Sequence, residues 1–131
     1  MSQISHANKY LVSPCIERVD GTGPAIELGA LSGSLLKLTL GINHVLEQES
    51  ISISIWGSAS GTDWGSTPLM TLPQKGYCGE YHTILNLQNR PTVRFLRVEW
   101  KLRRWGKREA PRMVGFYVAC AEASRVSAAV A

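Results

Sequence analysis

Hydrophobic and polar residues alternate over several short stretches of the chain. In the clearest of them, residues 50–56, isoleucines at every second position alternate with serines. The same period of two runs through residues 35–45, where leucines and an isoleucine alternate with more polar residues. A period of two is typical of a β-strand that buries one face. Because no long stretch has a helical period, the pattern predicts a chain built from strands.

Eight strands are predicted in all, separated by turns rich in Gly, Pro and Asn. Their ranges are 9–16, 25–28, 35–45, 50–56, 68–72, 81–87, 93–105 and 112–121. Pro14 places the first strand at a sheet edge, since proline lacks the N–H that a central strand donates. Short strands in this number predict an all-β fold, an antiparallel two-sheet β-sandwich rather than a closed barrel.

Three connections carry specific expectations. Residues 20–24 predict a turn, since the two glycines there tolerate positive φ and the proline fixes the exit of the chain. The polar residues 47–49 predict the turn between the third and fourth strands. Residues 57–65, rich in Gly and Ser, predict a hairpin loop that ends near Trp64.

The length of 131 residues fits one domain with its own hydrophobic core. We expect a flexible arm at 1–8, a β-sandwich domain at 9–122 and a flexible tail at 123–131. A hydrophobic content of 44% with 18% charged residues excludes global disorder. No apolar run approaches the roughly 20 residues that span a bilayer. The amino terminus lacks a secretory signal pattern, which predicts a cytoplasmic protein or a component of a virion or other assembly.

Motifs for catalysis or metal binding are not found in the sequence. The cysteines, Cys15, Cys78 and Cys120, form no CxxC pair, so we expect free thiols, with Cys78 the most exposed. The three histidines do not have a metal-ligand spacing, and no nucleophile elbow or phosphate-binding glycine loop is present. We therefore predict a protein that is not an enzyme and has no cofactor and no bound metal.

Positive charge is concentrated in one segment. Residues 101–112 contain six of the fourteen basic residues and one of the ten acidic residues, so this segment carries +5 and the remainder −1. Arg and Trp are enriched at interface hot spots, which predicts a partner-binding surface here. Its residues are Lys101, Arg103, Arg104, Trp105, Lys107, Arg108 and Arg112. The alternatives are a solvated strand end and nonspecific contact with a nucleic-acid backbone.

Exposed aromatic residues beside polar groups suggest a second candidate site. Trp64 and Tyr77 each lie next to a predicted loop, and Asp63 precedes Trp64. Sugars stack on such rings and bond to nearby polar groups, so these three residues are candidates for binding carbohydrate. The alternative for Trp64 is a structural role in covering the open end of the core.

Two segments carry a resemblance to a known family. Residues 53–64 (ISIWGSASGTDW) and 93–100 (VRFLRVEW) resemble the hairpin and a later strand of discoidin-like domains, which have a galactose-binding-like fold. A related hairpin occurs in β-sandwich components of phage tails. The resemblance implies an eight-stranded jelly-roll sandwich. Ser60 stands where the family usually has aspartate, and the acidic calcium loop of the family has no counterpart here.

The sequence thus supports three hypotheses for function. The first is a non-catalytic structural module that forms a homo-oligomer or a larger assembly through protein–protein contacts. The second is a carbohydrate-binding module that uses Trp64, Asp63 and Tyr77. The third is nonspecific nucleic-acid binding through residues 101–112.

Overall fold

Two antiparallel sheets pack face to face in the computed structural model, which describes residues 9–46, 49–104 and 113–123, with only the backbone of Arg104. The strands are β1 (Lys9–Glu17), β2 (Gly21–Thr22), β3 (Ile26–Glu27), β4 (Leu35–Val45), β5 (Glu49–Ser58), β6 (Met70–Thr71), β7 (Gly79–Asn86), β8 (Phe95–Arg104) and β9 (Val114–Glu122). A single 3-10 turn, Gly29–Leu31, is the one helical element within the described ranges. None of the helical structure described there is long and apolar enough to cross a membrane.

The order of the strands is that of a jelly roll. One sheet, here called sheet A, has the order β1-β9-β4-β7. The other, sheet B, has the order β2-β8-β5-β6, and β3 also pairs with β8. When β2 and β3 are counted as one interrupted strand, eight strands are divided equally between the two sheets. The predicted all-β, two-sheet sandwich is confirmed.

The core lies between the sheets and consists of the residues that the period of two placed on one face. Ile51, Ile53 and Ile55 of β5 are fully buried, and so are alternate residues of β4, β8 and β9. Trp100 of β8 and Phe116 of β9 meet edge to face with ring centroids 5.4 Å apart, which joins sheet B to sheet A. Pro14 lies in β1, an edge strand as predicted, where the pairing with β9 is irregular.

Two of the expected turns differ from the structure. Gly21 and Thr22 form the short strand β2 against β8, and neither Gly21 nor Gly23 has positive φ. Gly21 instead lets the Trp100 indole approach, since a Cβ at this position would lie 2.7 Å from the ring. Glu49, predicted to be in a turn, donates its N–H to the Leu46 carbonyl at 3.1 Å, and it also begins β5 and is 1% exposed. Pairing with β8 replaces the turn expected at Gly21, whereas Glu49 closes a local hydrogen bond and leads directly into a strand.

The predicted arm and tail lie outside the described residues, apart from Ala123. The backbone N–H of Ala123 donates to the Leu35 carbonyl at 2.7 Å, and its side chain is buried. The described sandwich therefore runs from Lys9 to Ala123. The division into arm, domain and tail stays a prediction.

Candidate functional site

The loop between β5 and β6 is held by its own serines. Ser58 Oγ accepts hydrogen bonds from the backbone N–H groups of Ser60 and Gly61, at 3.1 and 2.8 Å. Ser60 Oγ accepts from Thr62 and Asp63 in the same way, at 3.2 Å each. Such side-chain acceptors satisfy backbone donors that have no partner in a sheet. The loop is thus fixed by two successive serine turns.

These two serines differ in burial, which gives a matched test. Replacing the buried Ser58 with alanine should lower the free energy of unfolding by about 1 kcal/mol, because two loop N–H groups lose their acceptor. Replacing the exposed Ser60 with alanine should cost about 0.5 kcal/mol or less, because water replaces its hydroxyl. Urea denaturation measures both, and amide hydrogen exchange at Gly61 should accelerate in S58A. Equal losses in the two variants would contradict this account.

Trp64 lies on the outer face of sheet B. Its ring covers the Arg97 guanidinium at 4.5 Å from the ring centroid, and Arg97 is on the strand face opposite the core. Trp56 of β5, which pairs with Arg97, donates its indole N–H to Glu99 Oε1 at 3.1 Å. Trp64 therefore packs on a cation–π partner outside the core and does not cover the core's open end.

The other two residues proposed to bind carbohydrate, Asp63 and Tyr77, lie in different parts of the structure. Asp63 Oδ1 accepts the N–H of Gly65 at 3.2 Å, so this oxygen serves the turn. Tyr77 is 81% exposed and follows Lys75, which bridges to Ile51 at the opposite end of β5 from Trp56. Five residues of strand separate Ile51 from Trp56, or about 17 Å. The structure brings Asp63 near Trp64 but does not bring Tyr77 to them.

The basic segment is described only in part. Lys101 and Arg103 are exposed on β8, opposite Ser52 and Ser50 of β5. The backbone of Arg104 pairs with Glu49. The remaining predicted residues of this surface, Trp105, Lys107, Arg108 and Arg112, lie outside the described ranges. Its role in binding a partner or a nucleic acid stays a prediction.

A groove that the sequence did not reveal crosses the outer face of sheet A. We call it the outer groove; its cavity volume is about 500 Å³, and its lining comprises Lys9, Tyr10, Lys37, Thr39, Glu80, His82, Tyr117 and Ala119. Adjacent strands align Tyr10, Ala119, Thr39 and His82 in one row across the sheet. The next row contains Tyr117, Gly41 and Glu80. Ala119 lies in the first row between Tyr10 and the polar residues, and Gly41 lies beneath the Tyr117 ring.

Tyr117 is the most constrained side chain of the outer groove. Its ring lies on Gly41, where a Cβ would be 2.1 Å from the ring. Its hydroxyl donates to Glu80 Oε2 at 2.7 Å, and the Tyr10 ring meets it edge to face at 5.9 Å. The hydrogen bond to Glu80, followed by burial and the negative charge, raises the pKa of Tyr117 above its ordinary value. Tyr117 therefore stays neutral at physiological pH and keeps its O–H donor.

Polar groups form a chain along the other side of the outer groove. Thr39 Oγ1 and His82 Nδ1 are 3.0 Å apart, and His82 Nε2 lies 3.8 Å from Glu80 Oε1. Thr39, Gly41 and Lys37 alternate along β4, so the period of two alone placed them on one face. Tyr117 and Glu80 come from strands far away in sequence, and no local pattern pairs them with β4.

The cysteines are free thiols, as predicted. Cys120 is buried, Cys15 is half-buried and Cys78 is exposed. Burial raises the pKa of Cys120 to about 11, with a smaller opposing effect from Lys9. Burial, followed by the charge of Glu17, also raises the pKa of Cys15. Among the described residues, no group of three or more His, Cys, Asp and Glu side chains is placed to hold a metal ion.

Comparisons with known proteins show the fold. No protein-family model matches the chain, and no curated protein matches its sequence. The chain is similar to structures of infectious bursal disease virus. Against the Gt strain the TM-score is 0.54 at 10% identity, covering 89% of this chain and 32% of that chain. Against the VP2 subviral particle the TM-score is 0.56 at 9% identity, and the match covers 87% of this chain and 31% of that chain. Against the Gx strain the TM-score is 0.53 at 10% identity, and the match covers 87% of this chain and 30% of that chain.

The chain therefore spans about a third of the length of the virus proteins that it matches. At 9–10% identity the similarity concerns the fold alone. It supports the jelly-roll β-sandwich that the resemblance implied. None of these structures is specific to the discoidin family, so the discoidin part of the resemblance has no support beyond the sandwich itself.

Proposed function

We propose that this chain is a non-catalytic structural module that assembles through protein–protein contacts with further copies of itself. Structures of infectious bursal disease virus and of its VP2 subviral particle have a similar fold, which supports a place for this chain in a virion or a comparable assembly. The observation that carries the proposal is the edge of sheet A formed by β7. Among the described strands, β7 pairs only with β4, and eight residues of its other edge are left for a further strand or surface.

The composition of β7 favours contact with protein. Ile84, on its outer face, is 46% exposed, and β7 contains no proline and no lysine that would hinder an approaching strand. Ile16 and Val19, at the end of the opposite edge strand β1, are also more than half exposed. Apolar side chains at two edges of one sheet are suited to contacts that extend from copy to copy.

Adding a charge to this edge should weaken assembly. We expect the unmodified protein to form species larger than a monomer at tens of micromolar, measured by size-exclusion chromatography with light scattering. Ile84→Lys should weaken association by roughly tenfold, because a lysine at an edge strand opposes pairing and removes an apolar contact. The matched control is Asn43→Lys, which adds the same charge at an exposed position of β4, an interior strand of the same sheet.

The measurements distinguish whether the chain assembles at all from whether β7 is the interface. A strict monomer in the unmodified protein contradicts assembly by this chain alone. Assembly that I84K leaves intact and N43K disrupts would show that β7 is not the interface. Loss of assembly in I84K, with the same circular dichroism spectrum and an unaffected N43K, supports the proposal.

A further inference from the structure

We propose that the outer groove binds a glycan through a sugar ring that carries a carboxylate. The outer groove includes Glu80 and His82 of β7, but it lies on the outer face of sheet A rather than along the free edge of that strand, and the inference does not depend on assembly. It rests on three features of the outer groove: a fixed aromatic ring, a row of hydrogen-bonding groups and an excess of positive charge.

The aromatic ring is Tyr117. One of its faces covers Gly41, the Tyr10 ring stands perpendicular to it with centroids 5.9 Å apart, and its hydroxyl is bonded to Glu80, so three contacts hold the ring. Tyr117 also lines the outer groove. A sugar presents a face of C–H groups that stacks on an aromatic ring. Because Tyr117 is already fixed, little side-chain entropy is lost when a ring stacks on it.

The hydrogen-bonding groups lie beside this platform. Thr39 provides a hydroxyl, His82 a ring nitrogen and Glu80 the carboxylate oxygen that Tyr117 does not use. These side chains are half-buried or exposed, so a ligand can reach them without opening the fold. Hydroxyl groups that both donate and accept match such a mixed set. A purely apolar ligand would displace water from these polar groups without replacing its hydrogen bonds.

The charge selects among sugars. Two lysines, Lys9 and Lys37, line the outer groove against a single carboxylate, Glu80, so positive side chains outnumber negative ones there. One oxygen of Glu80 is already bonded to Tyr117. A ligand with one negative charge complements this balance, and a lysine pairs with a carboxylate as a point charge. The row from Tyr10 to His82 crosses three strand spacings, about 14 Å, which suits one or two sugar rings.

The test is a titration of the full chain with three probes, followed by ¹H–¹⁵N NMR. Glucuronate should shift the backbone signals of Thr39, His82 and Ala119, with a dissociation constant on the order of 1 mM. Glucose, which has the ring without the charge, and acetate, which has the charge without the ring, should each bind at least tenfold more weakly. Higher salt should weaken the binding of glucuronate.

Two variants and one control locate the binding. Lys37→Gln should weaken glucuronate binding about fivefold or more, and Tyr117→Ala should abolish it. Lys101→Gln removes an exposed lysine from the outer face of sheet B and should leave the titration unchanged. Lys37→Gln is a surface change that preserves the fold, so the test stands even where Y117A alters the sheet locally.

Three outcomes overturn the proposal. If acetate binds as tightly as glucuronate, the groove recognises an anion and not a sugar ring. If glucose binds as tightly as glucuronate, the lysines do not contribute to recognition. Glucuronate shifts that are absent, or unchanged in K37Q, exclude the outer groove altogether. The light-scattering result for assembly is independent of each of these, so the two proposals can fail separately.

Discussion

Replacing Phe116 with alanine should lower the free energy of unfolding by about 3–5 kcal/mol. Phe116 is fully buried, and its ring meets Trp100 across the two sheets at 5.4 Å. Removing it leaves a cavity where sheet A and sheet B join, and the surrounding strands are held by their ladders and cannot collapse to fill it. Domains of this size have a total stability of roughly 5–15 kcal/mol, so the loss is a large fraction.

Urea denaturation followed by circular dichroism measures this loss, and the midpoint should fall by about 2 M. The matched control is the next residue of the same strand. Tyr117→Ala removes an aromatic ring of similar size from the outer face and should cost about 1 kcal/mol or less. If the two variants lose equal stability, the Phe116–Trp100 contact does not have the role assigned to it.

Replacing Glu49 with leucine should lower the free energy of unfolding by about 1–3 kcal/mol. Glu49 Oε1 accepts the backbone N–H of Met113 at 2.9 Å, which ties the start of β5 to the residue before β9. Glu49 is 1% exposed, so water does not readily replace the lost acceptor. Leucine has a similar volume, and its effect therefore reports the hydrogen bond rather than a cavity.

Glu49→Gln is the control for this variant, because its amide oxygen still accepts from Met113. We expect E49Q to be more stable than E49L by at least about 1 kcal/mol in the same urea experiment. Among the described residues, Glu49 Oε2 has no hydrogen-bond partner. The amide nitrogen of E49Q can therefore take the place of this oxygen without breaking a hydrogen bond. E49L and E49Q with the same midpoint would show that the Met113 contact contributes nothing.

The strands themselves were predictable because their signal is local. The third predicted strand, residues 35–45, coincides with β4, and residues 50–56 lie within β5. In both, alternate side chains are buried, since the period of two follows from the geometry of any extended backbone. The edge position of β1 followed from Pro14 for a similar reason, because the missing N–H is a property of the residue.

The sites were less predictable, because they combine residues from strands that are distant in sequence. Trp64, Asp63 and Tyr77 were grouped by their types, yet the structure associates Trp64 and Tyr77 with opposite ends of β5. Trp64 packs on Arg97, the partner of Trp56, whereas Tyr77 follows Lys75, which bridges to Ile51, and Ile51 and Trp56 are about 17 Å apart along the strand. In contrast, Tyr117 and Glu80 lie 37 positions apart and share a hydrogen bond in the outer groove. Only the pairing of β4 with both β7 and β9 brings them together.

The sequence by itself therefore determined the all-β class, the positions of the longer strands and the face of each that is buried. The tertiary structure decided which contacts particular residues make. Gly21 was expected in a turn and instead makes room for Trp100. Glu49 closes the local hydrogen bond to Leu46, and its buried carboxylate also accepts the N–H of Met113, which no local pattern indicated. The physical reason is that backbone periodicity acts over neighbouring residues, whereas close approach and burial are set by strands that meet only when the sandwich closes.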